Sequence, residues 1–192
     1  MHRPSRIVTM TLALAASLAV AQDKGKGKGA PGAPPIILTI AGFSDGGSIP
    51  DKYTCAVQPA GGSPAIQWTD PAPTAVSFAI IMHDLDVAPR RGFDDVLHWV
   101  IWNIPAGARQ LAENLPTTPD LADGSRQGNN IAGRPGYFAP CAGPGPPHHY
   151  VFELYALDQK LDLPATASRA EIQKAIDGHA VGKAAYIGLF HR

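Results

Sequence analysis

The residues best suited to chemistry lie where loops meet apolar segments. His148, His149 and Tyr150 follow a loop rich in glycine and proline and open an apolar stretch. In a strand, His148 and Tyr150 are two positions apart and face the same side, whereas His149 faces the other side. Because histidine and tyrosine can donate hydrogen bonds to an anion, this junction predicts a binding site at the start of a strand.

A second polar group follows the buried segment at residues 75–82. His83, Asp84 and Asp86 come directly after it. If the strand continues that far, Asp84 and Asp86 lie on one side. Their carboxylates could then fix a histidine tautomer or accept from a ligand ammonium or hydroxyl group. An Asx-type turn before Pro89 is the alternative interpretation of these residues.

His98 lies inside the apolar segment at residues 97–102. It is either a hydrogen-bonded core histidine or part of a site. A patch of His98, His148, Tyr150 and loop amides would offer donors and partial positive charge to a phosphate or a carboxylate. Histidine and aspartate also bind metals, but the chain has no close pair of histidines facing one way. We therefore predict neither a metal nor a cofactor.

Nucleophilic catalysis has less support than anion binding. Cys141 is a candidate nucleophile beside His148, unless it is oxidised. Cys55 and Cys141 are the two cysteines, and an even pair in an oxidising compartment predicts one disulfide. Two buried free thiols are the alternative.

The elements that must position these side chains are mainly β-strands. Short apolar or β-branched segments, separated by glycine and proline, predict a single β domain over residues 36–192. Ser168 and Glu171 form a capping box that predicts one helix, which ends at Gly178. Residues 106–135 are rich in turn formers and predict a long loop region. The predicted strands cover residues 36–40, 65–68, 75–82, 97–102, 150–157 and 185–190.

The N-terminal residues have the features of an export signal. A basic start, a short apolar run and Ala19-Val20-Ala21 predict a signal peptide at residues 1–21, cut near Ala21 and Gln22. An N-terminal membrane anchor is the alternative. Residues 22–35 are rich in glycine, lysine and proline and predict a flexible linker. Removing the signal turns a formal net charge of zero slightly negative, which argues against nucleic acids and anionic membranes as partners.

Six ordered motifs resemble those of the phosphatidylethanolamine-binding protein family, in particular its bacterial Raf-kinase-inhibitor-like branch. The resemblance extends over about residues 36–192. It implies an antiparallel β-sandwich with a few peripheral helices, and a small pocket for phosphate-like or phosphoethanolamine-like head groups. The motifs lie at residues 48–55, 63–68, 84–89, 98–105, 136–141 and 148–150.

The resemblance also implies which residues bind the ligand. The family's D-P-D-x-P motif falls on Asp84 and Asp86, its strand histidine on His98, and its H-R-Y element on His148 and Tyr150. The chain departs from the family pattern at three places, which bear on ligand preference. Leu85 replaces a proline, Ala142 and Gly143 replace a proline pair, and His149 replaces an arginine.

These observations predict a secreted or periplasmic protein that binds a small anion without turnover. The mature chain would contain no integral membrane segment. An interaction protein that inhibits a protease or a kinase through its loops is the first alternative. The second is a hydrolase in which His98, Asp84 and Tyr150 act as general acid–base groups.

Overall fold

A computed structural model describes residues 35–69, 74–89 and 91–192, all within one unit, Ala33–Arg192. The predicted signal peptide at residues 1–21 lies outside the described residues, as does the predicted linker except for its last residue. Within the described ranges, no helix is long and apolar enough to cross a membrane.

Across the described ranges, the fold consists of nine strands, one α-helix and one 3-10 helix. The α-helix is α1 (Arg169–Ile176), and the 3-10 helix covers Asp51–Tyr53. The strands are β1 (Leu38–Ile40), β2 (Gly47–Ser48), β3 (Ile66–Trp68), β4 (Ser77–Asp84), β5 (Val96–Pro105), β6 (Gln110–Leu111), β7 (Arg126–Gln127), β8 (His148–Leu157) and β9 (Ala180–Phe190).

The strands form two sheets. The smaller sheet has the order β1-β3-β6, and the larger has the order β2-β9-β8-β4-β5-β7. Neighbouring strands run antiparallel, with the exception of β2, which pairs parallel to β9. Apolar side chains of both sheets meet in one core, so the mainly β, sandwich-like prediction is confirmed.

Strand β4 is buried along its whole length because both of its faces are covered. Phe78, Ile80 and Met82 point into the core between the two sheets. Ala79 and Ile81 point to the other face, where they pack against helix α1 and the loop before it. Alternation between two apolar environments explains why residues 78–82 of this strand are all apolar, as the sequence predicted.

The helix begins and ends where the sequence predicted. The Ser168 hydroxyl accepts from the Glu171 amide, and the Glu171 carboxylate accepts from the Ser168 amide at 2.8 Å. Gly178, just after the C-cap residue, has a φ of 81°. Ile172 and Ile176 are the buried side chains of this helix, and they cover the outer face of the larger sheet.

Several boundaries differ from the prediction; β9, for example, begins at Ala180 and not at residue 185. Strand β5 was expected to stop before Asn103, but it continues to Pro105 and pairs with the first residues of β4. Asn103 has a φ of 57°, and its side-chain amide donates to and accepts from the backbone of Leu161. These two hydrogen bonds allow strand β5 to continue past Asn103 in spite of its positive φ. Residues 106–135 are mainly loop, as expected, but they contain β6 and β7.

Candidate functional site

A cavity of about 460 Å³ opens at one end of the inner strands of the larger sheet, where β4 ends and β5 and β8 begin. Four of the five predicted ligand-binding residues line it, namely Asp84, His98, His148 and Tyr150. The remaining wall is largely apolar, so charged groups in the cavity are only partly screened by water. The apolar residues are Val87, Val96, Ile131, Ala132, Phe138 and Ala142.

Strand alternation brings Asp84 and Tyr150 into the cavity. On β4, Asp84 continues the row of Phe78, Ile80 and Met82 that faces the core. On β8, Tyr150 occupies the same face as Phe152 and is paired directly with Asp84. On both strands, the row of side chains that faces the core therefore ends in a polar residue, at the point where β4 ends and β8 begins.

A β-bulge directs His98 into the cavity. Met82 pairs with Trp99, but the next residue, His83, pairs with Leu97, which leaves His98 as the extra residue. Trp99 lies in the core between the sheets, whereas Leu97 packs on the opposite face. Regular alternation would place residues 97 and 99 on one face, so the bulge re-aims the side chains at this point.

Asp84 organises the polar side of the cavity. Its Oδ2 atom lies 2.8 Å from Nδ1 of His148, and its Oδ1 atom accepts from the Asp86 amide at 2.9 Å. The carboxylate thus makes an Asx-type turn and orients a histidine at the same time. The turn and the histidine contact that the sequence suggested for Asp84 are therefore both present, while ligand binding by this carboxylate stays a prediction.

His98 is held in one tautomer. Its Nδ1 atom lies 2.8 Å from the Phe138 carbonyl oxygen, which can only accept, so Nδ1 carries the proton. Burial lowers the pKa of His98, against the smaller opposing effects of the Phe138 carbonyl and the Asp84 charge. In the neutral ring, Nε2 is then a hydrogen-bond acceptor. The sequence had predicted a donor role for this histidine.

Tyr150 keeps its proton. Burial and, next, the negative charge of Asp84 raise the pKa of the Tyr150 hydroxyl far above its ordinary value. The backbone of Cys141 and Ala142 acts in the opposite direction but is weaker. The ring stands edge-on to His98 and lies nearly parallel to His148, with centroids 5.0 and 6.4 Å away. The Tyr150 ring therefore lies beside both imidazoles of the cavity.

Asp86 is the predicted site residue that does not line the cavity. Its Oδ2 atom accepts from the backbone amide of His149 at 2.6 Å and lies 3.0 Å from that residue's Nδ1. The amide hydrogen bond is the main reason why the pKa of Asp86 is lowered. His149 is exposed, as its position in the strand predicted. Asp86 and His149 form a separate surface pair beside the site.

A disulfide supports one wall of the cavity. Cys55 and Cys141 are bonded to each other, so Cys141 is not a free nucleophile. Cys141 lines the cavity together with Ala142 and Gly143. A guanidinium nitrogen of Arg192 lies 3.1 Å from the Cys141 sulfur, which brings a positive charge beside this wall.

A further polar network, which the sequence did not reveal, lies on the opposite face of the larger sheet. His83 Nδ1 is 2.5 Å from Asp95, and Asp95 also binds Arg169 of helix α1. Glu153 lies 3.6 Å from the other ring nitrogen of His83 and 2.7 Å from Lys183. The network ties the segment before β5 to the helix behind it.

The sequence also missed part of the cavity wall. Ile131 and Ala132 come from the loop between β7 and β8, and nothing in their local pattern marks them as site residues. Phe138 belonged to the motif region, but its carbonyl group rather than its ring fixes His98. Among the residues that the structure describes, no group of three or more histidine, cysteine, aspartate or glutamate side chains is arranged to hold a metal.

Comparison with solved structures supports the fold. A putative phosphatidylethanolamine-binding protein homologue from Chlamydia trachomatis superposes with a TM-score of 0.72 at 33% identity, over 82% of this chain and 98% of the other. YbcL of Escherichia coli has the same fold, with a TM-score of 0.70 at 23% identity over 83% and 99%.

Sequence relatives come from archaea and bacteria. A UPF0098 protein of Methanothermobacter thermautotrophicus is 43% identical over 150 residues, which cover 78% of this chain and 95% of that protein. A protein of Mycobacterium tuberculosis named putative lipoprotein LppC is 34% identical, with coverages of 84% and 75%. The family model described as phosphatidylethanolamine-binding protein matches residues 39–191. The chain therefore belongs to the phosphatidylethanolamine-binding protein family.

Proposed function

We propose that this protein binds a small oxyanion, such as phosphate or a phosphoethanolamine-like group, in the cavity where β4 ends and releases it unchanged. The hydrogen-bonded pair of Asp84, which is buried, and His148, which is half-buried, carries this proposal. In its imidazolium form, His148 keeps Nδ1 on Asp84 and donates from Nε2. Apolar walls strengthen that donor by excluding water.

We further propose that the protein acts outside the cytoplasm. The Cys55–Cys141 disulfide supports this location, because such bonds persist mainly in oxidising compartments. The relative from Mycobacterium tuberculosis is named a putative lipoprotein, and this name supports a location in the cell envelope. A cleaved signal peptide at residues 1–21 would account for export.

Titration of the purified protein with phosphate and with phosphoethanolamine tests the binding proposal. We expect His148→Ala to lower the affinity for both probes at least tenfold, because it removes a charged hydrogen-bond donor. His149→Ala is the matched control, since that neighbouring histidine is exposed and bonded to Asp86. Unchanged affinity in His148→Ala would refute the proposal, and conversion of the probe to a product would refute binding without turnover.

A second candidate function is binding of a protein partner through the surface loops. Leu85 and Ile131 are 53% and 49% exposed, and Phe93 is fully exposed in the loop between β4 and β5. Exposed apolar side chains of this size often mark interaction surfaces. A pull-down from the periplasmic or extracellular fraction should lose its partner in Phe93→Ser if this function holds, and should keep it in His148→Ala.

A further inference from the structure

We infer that the cavity selects phosphomonoesters over phosphodiesters, because His98 accepts a hydrogen bond from the acidic P–OH group of the ligand. This inference rests on the proposed anion binding in the same cavity. It assigns opposite roles to the two histidines: His148 donates to the anion, and His98 recognises a proton that the ligand itself carries.

The geometry of His98 fixes its role. Its Nδ1 proton is engaged by the Phe138 carbonyl oxygen at 2.8 Å, and the side chain is 4% exposed. The rings of Phe138 and Tyr150 hold the imidazole at centroid distances of 5.4 and 5.0 Å. The ring therefore cannot turn over without losing this hydrogen bond, and Nε2 is the nitrogen left for a ligand.

The surroundings of His98 favour its neutral form, because the net effect lowers its pKa. Asp84 from β4 and Asp95 from the segment before β5 favour the imidazolium, whereas His83 from β4 opposes it. Burial is the largest effect, and it lowers the pKa of His98. Tyr150 from β8 keeps its proton and adds no charge. Nε2 of His98 therefore presents a lone pair.

The two imidazoles together present one donor and one acceptor. A phosphomonoester dianion offers only acceptor oxygens, so one of them would meet the lone pair of His98. A phosphodiester has a single negative charge but carries no P–OH group. A phosphomonoester monoanion has both features that the cavity requires, an anionic oxygen for His148 and a hydroxyl group for His98.

Methyl phosphate and dimethyl phosphate are matched probes for this inference. At about pH 5.5 both are mainly monoanions, since the second pKa of a phosphomonoester is about 6. They differ by one methyl group, which replaces the acidic proton. We expect calorimetry or NMR titration to show methyl phosphate binding at least roughly tenfold more tightly, because the diester leaves a buried acceptor unpaired.

The pH dependence is a second measurement on the same protein. Affinity for methyl phosphate should fall by up to about tenfold per pH unit above about pH 6, as the monoanion becomes a dianion. If methyl phosphate and dimethyl phosphate bound with equal affinity, the inference would be wrong. It would also be wrong if the methyl phosphate dianion bound as tightly as the monoanion. Either result would leave the proposed anion binding intact. Failure of methyl phosphate, dimethyl phosphate and inorganic phosphate to bind would overturn the proposed function as well.

His98→Phe should remove the selectivity, because it keeps an aromatic ring between Phe138 and Tyr150 but has no acceptor. We expect the affinities of the two esters to come within about twofold of each other. If this variant does not fold, nitrogen-15 NMR of the unaltered protein at the titration pH still decides. An unprotonated Nε2 that shifts on addition of methyl phosphate supports the inference, and a ring protonated at Nε2 overturns it.

Discussion

At the scale of single residues, Asp84 has more roles than any other group in the cavity. It accepts from the Asp86 amide and orients His148. Burial is the main reason why the pKa of Tyr150 is raised, and the charge of Asp84 adds to that effect. A buried carboxylate with hydrogen bonds on both oxygens holds its neighbours in defined positions. The position of His148 therefore depends on this side chain, which also helps to keep Tyr150 protonated.

Replacing this carboxylate by an amide should weaken anion binding. In Asp84→Asn the carboxylate charge beside His148 is lost, although the size of the side chain is retained. We expect the affinity for phosphate to fall about tenfold or more, measured by calorimetry. Asp86→Asn provides the comparison, because Asp86 binds His149 outside the cavity, and it should change the affinity by less than about threefold. Similar losses in both variants would contradict this account.

Glu153 should make the stability of the fold sensitive to acid. His83, whose Nε2 atom lies 3.6 Å away, has the largest effect, and with Lys183 and Tyr155 it lowers the pKa of Glu153 to about 2. A depressed carboxyl pKa contributes stability that is complete above the unfolded value of about 4.3 and is lost as the pH falls towards 2. Glu153→Gln should lower the unfolding free energy at neutral pH by up to about 3 kcal/mol. Between about pH 4.5 and about pH 2, the unfolding free energy of this variant should depend less on pH than that of the unaltered protein.

Urea unfolding across that pH range checks the Glu153 prediction. Glu113→Gln is a suitable control, because Glu113 pairs with Lys52 at the surface. Exposed pairs of this kind contribute at most about 1 kcal/mol. If the unfolding free energy depended on pH to the same extent in Glu153→Gln and in the unaltered protein, this network would not be the source of the acid sensitivity.

At the scale of elements, helix α1 supports the cavity from behind. Its first residue, Arg169, binds Asp95 just before β5, and Asp95 also binds His83, whose chain neighbour is Asp84. The helix therefore holds the start of the strand that contains the His98 bulge. Stability at the N-terminus of this helix is part of what keeps the cavity in shape.

Removing the N-cap should have a measurable cost. We expect Ser168→Ala to lower the unfolding free energy by about 1 kcal/mol, because the amide of Glu171 loses its acceptor. Ser168→Thr keeps a hydroxyl at the cap and should retain most of the stability. Chemical denaturation compares the three proteins, and an alanine variant as stable as the threonine variant would count against the capping box.

The elements could be predicted from the sequence to the extent that local patterns determine them. The capping box at Ser168 and the apolar run of β4 each depend on nearby residues, and both were confirmed. The bulge at His98 depends on pairing with β4, which no local pattern encodes. The same reason explains the continuation of β5 through Asn103, whose partner Leu161 is 58 residues away. Long-range pairing therefore accounts for what the sequence left undecided.

At the scale of the whole molecule, the disulfide joins two distant parts of the chain. Cys55 and Cys141 are 86 residues apart and connect the segment after the 3-10 helix to the cavity wall. Closing a loop of this length restricts the unfolded chain and stabilises the fold by about 4 kcal/mol in the simplest model. The bond therefore accounts for a large part of the stability expected of a single domain.

Reduction of the disulfide should therefore destabilise the domain. We expect a fall of about 2–5 kcal/mol in the unfolding free energy with reductant, measured by urea denaturation. The double variant Cys55→Ser with Cys141→Ser should match the reduced protein and should not respond to reductant. Full stability in the double variant would show that the bond does not support the fold.

The position of β4 in the larger sheet has a consequence for the order of folding. Its two neighbours are β5, which follows directly, and β8, which begins more than sixty residues later, and β8 in turn pairs with the last strand, β9. Pairing at such separations requires a large loss of chain entropy before any contact forms, so folding is slow. A chain still lacking β8 leaves one edge of its central strand unpaired. We therefore expect the domain to reach its native state only after the C-terminal strands have been synthesised.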